Sequence, residues 1–104
     1  MAVLKVLVID DEPGIRSGVT RILRDFQVTY PFMDEDYTFE MYEAPTGEQG
    51  IEMLEKDKPD IILLDNKLPG MQGVEVLEYI HNKNYDIMVA MITSYASLDV
   101  AVKA

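Results

Sequence analysis

The chain has 104 residues, 48% hydrophobic and 27% charged, with 19 acids against 9 bases and a net charge of −10. That length accommodates one small domain with a packed core and no second one, and the acidity excludes sequence-independent binding to nucleic acid, whose phosphates demand a basic patch. No apolar run reaches membrane-spanning length, the start lacks the pattern of a secretion signal, and the absence of cysteine removes disulfides and thiolate metal sites and fits a cytoplasmic protein.

Residues 4–9 form the first predicted strand, a continuous β-branched and leucine run that ends in Asp10-Asp11-Glu12. Pro13 suits the entry of a helix whose apolar stripe is Ile15, Val19, Ile22, Leu23 and Phe26. Residues 27–40 have no helical period and read as a solvated loop or an extension of neighbouring elements. Residues 41–44 predict a short second strand, and Thr46-Gly-Glu-Gln49 a capping box that opens a helix to about Lys56, with Ile51 and Leu54 inward. A third strand, residues 61–64, again runs into an aspartate, Asp65. Leu68 to Gly73 has the residues of a loop, and Val74, Leu77 and Ile80 mark a third helix on which His81 is solvated. Residues 87–92 predict a fourth buried strand, followed by Thr93-Ser94 and by Ser97 as the cap of a fourth helix. Met41, Met53, Met88 and Met91 are expected to fill the core. This βα rhythm, four times over, commits the chain to a doubly wound α/β fold with a parallel sheet.

Ligand sites in such sheets lie at the carboxyl ends of neighbouring strands. Carboxylates gathered there repel one another unless a positive charge sits between them, and the guest that suits them is a hard divalent cation, above all Mg²⁺. An acidic pair after the first strand, one aspartate after the third and a hydroxyl after the fourth make a specific signal. In these segments, Val-Leu-Val-Ile-Asp10-Asp11-Glu-Pro, residues 59–73 and Met-Val-Ala-Met-Ile-Thr93-Ser-Tyr-Ala-Ser, the chain resembles the receiver domain of two-component response regulators. The run from Thr93 looks most like receivers of the nitrogen-regulatory activator type.

The resemblance implies a flavodoxin-like sheet and a phosphoacceptor switch rather than an enzyme acting on a separate substrate. Asp65 would take a phosphoryl group from a sensor histidine kinase. Mg²⁺ would be held by Asp11 and Asp65 directly, by Asp10 mostly through water, and by the backbone carbonyl of Lys67. Thr93 would bond a phosphoryl oxygen and draw its loop inward, and an output domain, expected to control transcription, would read the change.

Two features depart from the family pattern. The chain stops before a fifth strand and helix, so the expectation is a receiver over residues 1–104 that is incomplete at its C-terminus, with strand order 2-1-3-4. Lys103 falls in the nascent fourth helix and does not take the role of the fifth strand's terminal lysine. The unpaired, apolar fourth strand and an uncovered flank of the first helix would then favour a homo-oligomer. The second departure is the length of residues 27–40. Rival readings are a pseudo-receiver that binds partners without phosphorylation and a Mg²⁺-dependent phosphatase with an aspartate nucleophile. Asp10-Asp11-Glu12-Pro13 lacks the two-apart spacing of nucleophile and acid in such phosphatases, and the same acidic loop does not suit a flavodoxin-like electron carrier.

Overall fold

The computed structural model describes residues 2–29 and 36–92. Strand β1 (Ala2–Ile9) leads into helix α1 (Pro13–Arg24), followed by strands β2 (Gln27–Thr29) and β3 (Asp36–Ala44). Helix α2 (Gly47–Asp57), strand β4 (Ile61–Asp65), helix α3 (Gly73–Asn82) and strand β5 (Met88–Ile92) complete the chain's described elements. One sheet holds all five strands in the order β2-β3-β1-β4-β5. Its four parallel strands, β3-β1-β4-β5, have the expected flavodoxin-like order, and β2 is added antiparallel to β3 at one edge.

The chain leaves β1 toward β3, then crosses back over β1 to reach β4 and continues outward to β5. Right-handed crossovers taken in opposite directions put α1 on one face of the sheet and α2 and α3 on the other. The main core lies under α2 and α3. Leu7, Ile9, Ile62 and Leu64 pack there with Leu54 of α2 and Val76 and Ile80 of α3. Truncating a side chain as enclosed as Leu54 costs roughly 2–5 kcal/mol. Gly50 fits tightly in this layer, since a Cβ there would run into the Ile9 side chain and force it to shift.

Several expectations are corrected by the structure. Of the stretch read as a loop or an extension of neighbouring elements, residues 27–29 and 36–40 are strand: β3 begins at Asp36 and pairs with β1 from Ala2↔Tyr37 to Ile9↔Ala44, while Gln27–Thr29 pairs back onto Asp36–Thr38. Tyr37, Thr38 and Phe39 suit a pleated surface, and the acidic residues around them obscured the signal. The remainder, residues 30–35, lies outside the described residues. In α3 the buried positions are Gly73, Val76 and Ile80, whereas Val74 is half exposed. Gly73 is seated against the backbone of Asp65 and Asn66 with no room for a Cβ, which fits that helical phase. The edge strand β5 is not buried on both faces: Val89 and Met91 pack on the core, but Ala90 is exposed and Met88 is 69% exposed, so Met88 is not core filler. On the opposite flank, α1 buries no residue fully and leaves Ile22 68% exposed.

Candidate functional site: an acidic pocket at the strand ends

The direction of chain travel reverses between β1 and β4, because the connection from β1 leads one way across the sheet and that from β4 the other. Their carboxyl ends therefore border the crevice where doubly wound sheets take ligands. The register Ile9↔Leu64 brings the residues that follow β1 beside the last residue of β4. Asp10, Asp11 and Asp65 meet there, each with one carboxylate oxygen within 4.8 Å of the others.

The three acids occupy different environments. Asp10 is 3% exposed and is locked in place: its N–H donates to the Ala44 carbonyl at 3.1 Å, and its Oδ1 accepts from Glu12 N–H at 2.9 Å. Asp11 is exposed, and Asp65 is half-buried with Oδ1 accepting from Lys67 N–H at 3.2 Å. Burial raises the Asp65 carboxyl above the usual aspartate range; the charges of Asp10 and Asp11 and a side-chain bond to Asp11 push the same way, against the Lys67 amide. Like charges at such separations repel by roughly 4 kcal/mol per pair at the effective dielectric of a protein surface. A neutral hydrogen bond contributes only about 1 kcal/mol net, so the cluster favours uptake of a proton or a cation.

An all-oxygen donor set of three carboxylates, without nitrogen or sulfur, fits a hard divalent ion such as Mg²⁺. Lys67 is exposed, and its peptide is turned so that the amide faces the Asp65 carboxylate. The loop that carries it is fixed at both ends. Asn66 N–H donates to the Ile92 carbonyl at 3.1 Å, and a Cβ on Gly73 would overlap the Asp65 carbonyl oxygen. Thr93, the expected hydroxyl contact, lies outside the described residues, as do Ser94, Tyr95, Ser97 and Lys103.

Sequence reasoning missed Arg16. From the first turn of α1 its guanidinium donates to the Asp10 carbonyl at 2.6 Å, and its Nε lies 3.5 Å from Glu43 Oε1. The available signal was a base one turn into the helix that follows an acidic triplet. It also missed that Glu75 reaches back over the start of α3, its Oε1 accepting from the Gln72 N–H at 3.2 Å.

The family model for the response regulator receiver domain matches residues 6–104. Sporulation initiation phosphotransferase F of Bacillus subtilis is 34% identical over 95 residues, covering 91% of this chain and 68% of that protein. The nitrate/nitrite response regulator protein NarL of Escherichia coli is 42% identical over 79 residues, covering 76% of this chain but only 32% of its own length. Among solved structures, a signal receiver domain from Vibrio parahaemolyticus superposes with a TM-score of 0.81 at 27% identity, over 96% of this chain and 68% of that one.

Proposed function

Because the chain belongs to the response regulator receiver domains, which are regulatory domains rather than classical enzymes, we propose that it accepts a phosphoryl group on Asp65 from a sensor histidine kinase in the cytoplasm. The observation that carries this reading is the meeting of Asp10, Asp11 and Asp65 at the switch point of the sheet. In the transfer, an Asp65 oxygen forms the new bond to phosphorus as the phosphorus–nitrogen bond of the donor phosphohistidine breaks. The electron pair of that bond stays on the departing ring nitrogen, and because the other ring nitrogen of the donor already carries a proton, neutral imidazole leaves. Asp65 is held for in-line approach by the Lys67 amide on its other oxygen, which is positioning rather than covalent help. Asp10, Asp11, Asp65 and the Lys67 carbonyl are the proposed holders of Mg²⁺, which when bound neutralises the charge gathering on the phosphoryl oxygens.

Thr93 is the proposed hydroxyl partner of the phosphoryl group, and an output domain controlling transcription is the proposed reader. The nitrogen-regulatory subtype rests on the run from Thr93, outside the described residues. Homo-oligomerisation is proposed on the apolar outer edge of β5, which among the described residues pairs only with β4. Sedimentation at micromolar concentration tests this, and a monodisperse monomer removes it.

Incubation with acetyl phosphate and Mg²⁺ tests the main reading by intact mass. The expected result is addition of one phosphoryl group to the parent chain and none to Asp65→Asn. An unmodified parent chain would favour a partner-binding module that works without phosphorylation.

A further inference from the structure

The loop between β4 and α3 carries the residues that flank Asp65, and its tip is held from across the crevice. Inside the loop, the Gln72 side chain donates to the Leu68 carbonyl at 3.0 Å. The tip itself, Gly70-Met71, leans on the first turn of α2. Met71 N–H donates to Glu48 Oε1 at 3.2 Å, and Gly70, at φ +72°, lies so close that a Cβ would come within 3.2 Å of Glu48 Oε2. Gly47 is buried beside it, with room for a Cβ only at 3.1 Å from the Met71 carbonyl and 3.0 Å from the Val76 side chain. The helix bearing Glu48 is anchored by Leu54 in the core and by Gly50 against Ile9, the residue before Asp10. A side chain fixed to the scaffold of one half of the acidic pocket thus grips the loop of the other half.

From this geometry we infer that Glu48 is a positioning residue for the pocket. By holding the Gly70-Met71 tip, it sets where the Lys67 peptide sits relative to the Asp65 carboxylate, and so tunes cation affinity and phosphoryl uptake. The inference rests on the reading of Asp65 as phosphoacceptor, and it depends on the carboxylate as an acceptor at the right reach rather than on its charge at the helix N-terminus.

Three substitutions separate those roles. Glu48→Gln keeps reach and acceptor but loses charge, Glu48→Asp keeps charge but loses reach, and Glu48→Ala loses both. Mg²⁺ is titrated into the parent chain and each variant by NMR, with acetyl phosphate uptake followed by mass. Glu48→Ala and Glu48→Asp are expected to weaken Mg²⁺ binding and slow uptake by about tenfold, the scale of losses from residues that support a metal site, while Glu48→Gln stays within about twofold of the parent. The opposite ranking, with aspartate active and glutamine defective, would trace the effect to the helix terminus and overturn the inference. Variants that all match the parent would also overturn it. A parent chain that binds no Mg²⁺ would overturn the underlying reading of the pocket and the inference with it.

Discussion

An aspartate cluster and a single glutamate between two tyrosines sit at opposite ends of the sheet, and they show what separates a site from a brace. At the carboxyl end, Asp65 faces Asp10 and Asp11, and burial with like charge raises its carboxyl. Toward the amino end, Glu55 of α2 accepts from Tyr79 Oη at 2.6 Å and from Tyr85 Oη at 2.8 Å, which ties α2 to α3 and to the segment leading into β5. Those hydroxyl bonds, Tyr79 first and then Tyr85, hold Glu55 below the usual glutamate range, with Lys83 and Lys58 assisting. Reciprocally, the bond to Glu55 pushes Tyr79 up to about 12. Glu55 meets donors supplied by its own fold, whereas the aspartates meet mainly one another. A carboxylate whose charge the fold answers is structural; one whose charge is left to be answered from outside is available for chemistry.

The sharpest way to break this comparison is Asp65→Asn. It is expected to abolish phosphoryl uptake completely by intact mass and to weaken Mg²⁺ binding, itself expected at about millimolar or weaker because few protein ligands are offered. Unchanged Mg²⁺ affinity would place the metal elsewhere. The metal-free variant is also expected to melt higher than the parent at neutral pH, since one of three mutually repelling charges is gone.

Gly73→Ala comes next. The added Cβ meets the backbone of Asp65 and Asn66, which cannot swing aside as a side chain can. Overpacking of this kind costs roughly 1–3 kcal/mol, read as a lower urea midpoint, and it is expected to reduce Mg²⁺ binding as well. Gly50→Ala, whose clash is with the Ile9 side chain, tests whether the damage depends on nearness to the site. It is expected to destabilise with a smaller effect on the metal.

At the other end of the sheet, Glu55→Gln is expected to lower the melting midpoint at neutral pH and leave Mg²⁺ binding alone. The folded protein holds Glu55 below its unfolded value, so its contribution is complete above the ordinary glutamate range. It drains away as pH falls through the lowered value. The difference between parent and variant should therefore close in acid, and a gap that persists unchanged would mean the tyrosine bonds do not depend on the charge.

The smallest expected change is for Lys67→Ala. This exposed side chain leaves the chain two residues after Asp65, whose carboxylate its own N–H bonds. Its loss is expected to alter the lifetime of the phosphorylated state by less than about tenfold, with the melting midpoint unmoved. A lifetime equal to the parent's would remove the Lys67 side chain from the working site.

Much of this could be read locally. The runs before Asp10 and Asp65 are strands because continuous β-branched and leucine stretches form strands buried on both faces. Thr46 caps α2 as its type and spacing demand, accepting from Gln49 N–H at 3.1 Å. Pro13 begins α1 for the same kind of local reason. The acidic constellation was legible too, because its members sit at the ends of recognisable strands.

What tertiary structure alone decided depends on partners distant in sequence. Residues 36–40 are strand because β1 offers a full-length parallel neighbour to pair with, which no window around Asp36 could reveal. The exposure of Met88 follows from the position of β5 at the sheet edge rather than from its composition. Gly73 faces inward, against Asp65's carbonyl. Arg16 and Glu48 belong to the pocket only because two crossovers bring the starts of α1 and α2 to the same sheet end as Asp10 and Asp65. Local propensity set the strands, the turns and the acids; long-range pairing and crossover direction set which side chains face them.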